Sequence, residues 1–182
     1  MSSLRADARA ARSTFVAALN PVLREALQQA LARQLAPHLH APLIGSYHAM
    51  GDEIDPSPAL AGHRTAYPRV TAADAPLSFH TCPASALQPG FRGIAEPPAH
   101  LPAAFPTMLL VPLVAADLAG HRIGQGGGHY DRTLAALRAQ GPLTAIGVCW
   151  DVQLLPAIPP APWDQPLDAI ATPTRFHWCK AG

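Results

Sequence analysis

Apolar positions recur along this chain in two patterns, one with helical spacing and one in unbroken runs. Residues 3–19 place Phe15, Val16 and Leu19 after a stretch holding Arg5, Arg9 and Arg12, which predicts an amphipathic first helix with an exposed charged face. Asn20-Pro21 ends that helix and starts another, with Asn at the cap and Pro at the first helical position. Val22, Leu23, Ala26, Leu27, Ala30, Leu31 and Leu35 follow at steps of three and four, a stripe that must face a sheet or helix. Pro37 and Pro42 bracket its exit.

The unbroken runs come later. Thr107–Val111 (TMLLV) and Leu143–Trp150 are apolar throughout, as expected of strands buried on both faces. Shorter strands are expected at Leu43–Tyr47, Arg64–Tyr67, Leu77–His80 and Asp168–Thr172, with a helical turn at Pro58–Gly62. Residues 82–106, studded with prolines and glycines, read as one long surface loop. A helix is predicted from Tyr130 to Gln140, stopped by Gly141-Pro142. Strands alternating with helices argue an α/β layered domain: residues 1–182 as a single unit with a mostly parallel sheet flanked by helices. Tyr67, Trp150 and Trp178 are expected in core or edge packing.

Composition narrows the partners. Apolar residues make up 49% of the 182, but many are alanine, and charged residues only 14%, against about 25% in an average protein. Net charge is +1 with no basic stripe interleaved with aromatics, so no nucleic-acid groove is expected. No apolar run approaches a membrane span. Arg5, Arg9 and Arg12 faintly suggest an organelle transit peptide, but Asp7 interrupts that pattern and the helix continues past it. Three widely spaced cysteines (Cys82, Cys149, Cys179) offer neither a disulfide framework nor a zinc site, which suits a reducing cytoplasm. Nine histidines lack paired ligand spacing.

Candidate chemistry concentrates in Arg122-Ile123-Gly124-Gln125-Gly126-Gly127-Gly128-His129-Tyr130-Asp131-Arg132. Glycines admit backbone angles closed to other residues and bring amides close to a ligand; the following helix points its positive end the same way. Arg122 and Arg132 could add charge-assisted bonds to phosphate oxygens. The cluster is neither a P-loop, which ends in Gly-Lys-Ser/Thr, nor the dinucleotide fingerprint, whose third glycine is here His129. On the residues alone it is equally a tight turn joining a hairpin to a helix. Asp131 is equally a first-turn carboxylate facing the helix dipole, Asp164 a loop acid, and Glu53 one charge in a turn.

Val111-Pro112-Leu113-Val114-Ala115-Ala116-Asp117 followed by Arg122–Arg132 resembles the signature of the 5-formyltetrahydrofolate cyclo-ligase family. Tyr47–Ile54, Gly93-Ile94-Ala95-Glu96-Pro97 and Trp163–Pro173 are similar to further blocks of that family, in its order. The resemblance implies a Rossmann-like fold of the methenyltetrahydrofolate synthetase type. It implies ATP- and magnesium-dependent cyclisation of 5-formyltetrahydrofolate to 5,10-methenyltetrahydrofolate, releasing ADP and phosphate through an N5-iminium phosphate. By this resemblance Arg5, Arg122, Gly124, Gln125, Gly126, Gly127, Gly128, His129 and Tyr130 would bind ATP, and Asp131 and Asp164 would ligate magnesium. Arg122 and Asp131 would be catalytic, while His48, Met50, Glu53, Arg92 and Ile94 would meet the folate. A cytoplasmic monomer acting on small molecules, with no nucleic-acid or membrane partner, is expected.

Three departures stand out: Met1 where the family has a lysine, Ala116 in place of phenylalanine, and His129 where Phe or Tyr is usual. They keep open a non-catalytic ATP- and folate-binding module of the same fold. A third reading is an unrelated α/β enzyme gripping one phosphate.

Overall fold

The computed structural model describes residues 2–179. Two helices open the chain, α1 (Ser2–Ala17) and α2 (Pro21–Leu35). The Asn20 side chain caps α2 by accepting from the Leu23 amide at 2.8 Å, and Pro21 occupies the first turn as its spacing predicts. Strands β1 (Ile44–Gly45), β2 (Thr65–Arg69) and β3 (Ser78–Thr81) follow. A two-stranded ribbon, β4 (Gln88–Pro89) with β5 (Ala95–Glu96), and an edge strand β6 (Ala103–Ala104) come next. Then β7 (Met108–Pro112) leads into a hairpin of β8 (Ala115–Ala116) and β9 (Arg122–Ile123), and helix α3 (His129–Arg138). Strands β10 (Thr144–Val148), β11 (Ala169–Ala171) and β12 (Phe176–Trp178) complete the chain.

Eight strands form one sheet in the order β12-β11-β10-β7-β1-β2-β3-β6. The five central strands run parallel, and both flanks add antiparallel strands. Side chains alternate across the sheet. Leu110, Ile146 and Val148 pack under Val16, Leu31 and Leu35 of the first two helices. Leu109, Val111, Ala145 and Ile170 pack against Leu134 of α3 on the other face. Burial on both faces is why the central strands read as unbroken apolar runs.

Several expectations need correcting. Leu43–Tyr47 forms only a two-residue strand, and the turn expected at Pro58–Gly62 is a short 3-10 helix at Ser57–Leu60. Residues 82–106 are not a plain surface loop. Gln88 pairs with Glu96 and Pro89 with Ala95, which buries Glu96 to 3% exposure. Its Oε1 accepts from the Val70 amide at 3.1 Å, and Arg69 lies 3.7 Å from Oε2, so the ribbon is stapled to the end of β2. The first helix is not simply exposed either: Ala8, Arg12 and Val16 are buried. Tyr67 and Trp150 are core residues, whereas Trp178 is exposed on the edge strand. All three cysteines are free thiols. Among the described residues no helix is long and apolar enough to cross a membrane.

Candidate active site

Strand order sets the place. Going along the sheet from β1, the chain runs one way through β2 and β3 and the other way through β7, β10 and β11. The crevice beyond the carboxyl ends of strands at such a reversal is where open α/β sheets hold ligands. Here a cleft lies there, bounded by Tyr47 and His48 after β1, Pro68 and Val70 at the end of β2, and Pro112 closing β7. Into it project Met50 and Glu53, Ile94 of the ribbon, and Arg122, Gly124, Gln125, Gly128, His129, Tyr130 and Asp131.

The β8–β9 hairpin is held by Asp117. Its Oδ1 accepts from the amides of Ala119 and His121 at 3.1 and 3.0 Å, and its Oδ2 from the Ile158 amide at 2.8 Å and the His121 ring at 3.0 Å. Burial pushes this carboxyl up, but the His121 ring and the two amides outweigh it and hold it below its ordinary value. The carboxylate thereby fixes where the glycine loop begins. Ala116, the departure from the family's phenylalanine, is a fully buried residue of this hairpin.

The loop at 124–128 is gripped by its carbonyls. Arg5 Nε donates to Gly124 O at 3.0 Å, Arg9 Nη2 to Gln125 O at 3.1 Å, and Arg132 Nη2 to Gly127 O at 2.6 Å. No amide from Gln125 to Gly128 donates to a partner among the described residues. Gly126 (φ 109°) and Gly128 (φ 64°) take the left-handed conformation, which leaves the amide array open at the start of α3. A segment whose carbonyls are occupied and whose N–H groups are free is an anion cradle. Gly126 and Gly127 stand at its exposed rim. Arg132, expected to reach phosphate, instead ties the loop to Ala73 O at 3.1 Å.

Behind the cradle, Arg122 is 7% exposed. Its Nη2 meets Asp131 Oδ1 at 2.6 Å and its Nη1 donates to Gln165 O, while the Gln165 amide donates to the same Asp131 oxygen at 3.1 Å. Burial lowers the guanidinium's pKa, and the charges of Asp131 and Asp164 oppose that. Asp164 lies outside the cleft lining, and its Oδ2 caps a tight turn by accepting from the Ala161 amide at 2.8 Å. Asp131 Oδ2 and Asp164 Oδ1 accept no hydrogen bond among the described residues, so each carboxylate keeps one oxygen for a cation. Among the described residues no group of three or more His, Cys, Asp or Glu forms a protein-only metal cage. Magnesium requires none, since it takes one or two carboxylates together with phosphate oxygens. The donor set fits that ion.

On the opposite wall the loop carrying Glu53 is pinned from three sides. Tyr47 Oη donates to Ile54 O at 2.6 Å, Trp150 Nε1 to Asp52 O at 2.8 Å, and Arg24 Nη2 to Gly51 O at 2.8 Å. Glu53 Oε2 accepts from the Met50 amide at 3.1 Å, and the Gln125 side chain also bonds to this carboxylate. Burial pushes the Glu53 carboxyl up, opposed by the Met50 amide, the charge of Arg12 and the Gln125 side chain. Burial, then Glu53, raises the Tyr130 phenol well above its ordinary range, so it remains a donor.

The structure thus brings His48, Met50, Glu53, Ile94, Arg122, Gly124, Gln125, Gly128, His129, Tyr130 and Asp131 to one cleft. Arg5 approaches from α1, Asp164 stands behind, and Arg92 falls in a short 3-10 helix immediately before Ile94. Met1, where the family's lysine would stand, lies outside the described residues. Sequence reading missed the contact of Arg9 with the loop and the burial of Arg12. Their spacing of four and seven residues from Arg5, which puts all three on one helix face, was the available signal.

An open amide cradle at the reversal point of a mostly parallel sheet, facing a carboxylate wall, defines an α/β protein suited to an anionic ligand and a hydrogen-bonding one together. The chain belongs to the 5-formyltetrahydrofolate cyclo-ligase family, whose model matches residues 2–173. It is 32% identical over 178 residues to the 5-formyltetrahydrofolate cyclo-ligase of Escherichia coli K12, covering 88% of this chain and 96% of that one. It is 43% identical over 89 residues to the enzyme of that name from Mycolicibacterium smegmatis, covering 46% of this chain and 44% of that one. The fold is shared with the solved 5,10-methenyltetrahydrofolate synthetase of Aquifex aeolicus, at a TM-score of 0.80 and 24% identity over 100% of this chain and 93% of that one. That from Mycoplasma pneumoniae gives 0.72 and 22%, over 94% and 98%.

Proposed function

We propose that this protein cyclises 5-formyltetrahydrofolate to 5,10-methenyltetrahydrofolate using ATP and magnesium. A formyl amide oxygen is a weak nucleophile and a poor leaving group, so the ring closes only after that oxygen is phosphorylated. The oxygen attacks the γ-phosphate, ADP leaves, and an N5-iminium phosphate forms. N10 then adds to the activated carbon and loses its proton, and phosphate departs carrying that proton. The protein's task is alignment of the two substrates and neutralisation of phosphate charge.

The observation that carries this reading is the loop at 124–128, its carbonyls held by Arg5, Arg9 and Arg132 and its amides open beside Glu53. Those amides, with His129 and Tyr130 at the start of α3, would hold the triphosphate. Arg5 would add charge, and Arg9, which reaches the same loop, supplies a second cation. Asp131 and Asp164 would hold magnesium, which offsets phosphate charge when bound. Arg122 keeps Asp131 in place. Glu53 and the backbone around His48 and Met50 would meet the folate, with the carboxylate accepting from the amino-pyrimidine edge of the pterin and Arg92 and Ile94 bordering it.

The test is the purified protein with 5-formyltetrahydrofolate, ATP and magnesium, following methenyl product by near-ultraviolet absorbance. Product that requires ATP supports the proposal. Folate binding without product points to a binding module, and indifference to both ligands sinks the reading. Asp131→Asn is expected to lower turnover by about 10²–10³-fold with the fold intact; unchanged turnover would remove Asp131 from the chemistry.

A further inference from the structure

Arg12 shares a helix face with Arg5 and Arg9 but is placed quite differently. Arg5 and Arg9 reach loop carbonyls, whereas Arg12 is only 9% exposed and its Nε and Nη1 have no hydrogen-bond partner among the described residues. Burying donors without partners is costly, and more so when the group is charged. Packing does not call for a cation there, since its neighbours along the same face, Ala8 and Val16, sit in apolar clusters. Phe15 of α1 contacts the Trp150 ring at 5.6 Å, and Trp150 holds the carbonyl of Asp52, the residue before Glu53. Helix α1 therefore backs the cleft wall that carries Glu53, and the Arg12 charge acts on that carboxylate without a direct ion pair.

Other charged and titratable groups face Glu53. Tyr47 and His48 come from the exit of β1, Tyr130, His129 and Asp131 from α3, and Arg122 from β9. Glu96 faces it from the ribbon, Arg24 from α2, and Asp52 and Asp55 lie on its own loop. The cations among them are committed elsewhere: Arg122 to Asp131, and Arg24 to the carbonyls of Gly51 and Glu53. Among the described residues facing this wall, Arg12 is the cation with buried donors still unpartnered.

We propose that Arg12 is a positioning residue for Glu53, holding it as a carboxylate aimed into the cleft and so setting the lowest pH at which a pterin's amino-pyrimidine edge is accepted. The inference rests on the pterin reading of the cleft given above. The amino group and ring N–H of that edge are two donors, and only an ionised carboxylate offers two acceptors in the matching fork. A buried glutamate without a nearby cation would take up a proton and present a donor to donors.

The experiment is equilibrium binding of 5-formyltetrahydrofolate, without ATP, measured by calorimetry between about pH 5 and pH 8. Wild type is compared with Arg12→Gln, Arg12→Met, Arg12→Lys and Glu53→Gln. Loss of the guanidinium should move the acid limb of binding up by about one pH unit, a loss approaching tenfold on the acid side of the limb and little change above it. Arg12→Lys keeps the charge and should keep the limb. Glu53→Gln should bind weakly with no such limb, and adding Arg12→Gln to it should change nothing further. A limb that stays put in Arg12→Gln, or persists in Glu53→Gln, overturns the proposal. So does failure of both neutral variants to fold, because the unpartnered guanidinium is held not to support the fold. If wild type binds no folate at any pH, the function proposed above fails. Carbon-13 titration of the Glu53 carboxyl then decides for Arg12 alone, and a midpoint unmoved by Arg12→Gln overturns its role.

Discussion

The first two helices are of nearly equal length and follow one another directly, yet they turn opposite kinds of face inward. Helix α2 buries Leu31 and Leu35 completely against the sheet. Helix α1 sends Arg5 and Arg9 to the glycine loop and buries Arg12, keeping Ala8 and Val16 as its apolar footing. The difference teaches that α2 is held by area removed from water, while α1 is held largely by directed bonds to the loop it shapes. Damage to α2 should therefore register as lost stability, and damage to α1 as lost ligand affinity.

The strongest way to break that contrast is Leu31→Ala. A fully buried leucine cut to alanine should cost about 2–5 kcal/mol in denaturant unfolding, with KM values for both substrates little changed in the folded fraction. A milder cut on the other helix, Arg5→Ala, should raise KM for ATP about tenfold, equivalent to about 1.4 kcal/mol, and leave unfolding within about 0.5 kcal/mol. If Arg5→Ala lowered stability as much as Leu31→Ala, the division between the two helices would be lost.

Glu53 sharpens the contrast through pH. Burial raises its carboxyl, so the folded protein holds that proton more tightly than the unfolded chain does. Its stabilising contribution is then complete below the unfolded value near about 4.3 and is lost as pH rises through the folded one. At neutral pH the ionised side chain weakens the fold. Glu53→Gln should accordingly raise Tm by about 2 °C at pH 7, with the gain vanishing near about pH 4, while folate binding collapses. The smallest effect is expected at Val22→Ser on the outer face of α2, where the side chain is 77% exposed: a change within about 0.5 kcal/mol, read by the same unfolding curve.

What could be read from the chain depended on how far each pattern extended. Met108–Pro112 and Thr144–Val148 are long enough and apolar enough to declare themselves, and the Asn20-Pro21 junction carries its own capping chemistry. The ribbon of β4 and β5 was hidden because two residues a side are too few to show an alternation, and its prolines imitate a loop. Glycines 124–128 pointed to a cradle, but not to the two α1 arginines that occupy its carbonyls, because those contacts span more than a hundred residues. Arg12 was obscured by chemistry rather than distance: a guanidinium in a helix normally marks a hydrated face, and here it is buried.

Arg5 and Gly124 are separated by 119 positions, and Arg9 and Gln125 by 116. During translation α1 therefore leaves the ribosome long before the carbonyls it will grip have been made. Guanidinium groups tolerate the delay because water serves them until the loop arrives. Capture of that late-made loop then completes the cleft, so the order of manufacture places the assembly of the catalytic pocket near the end of maturation.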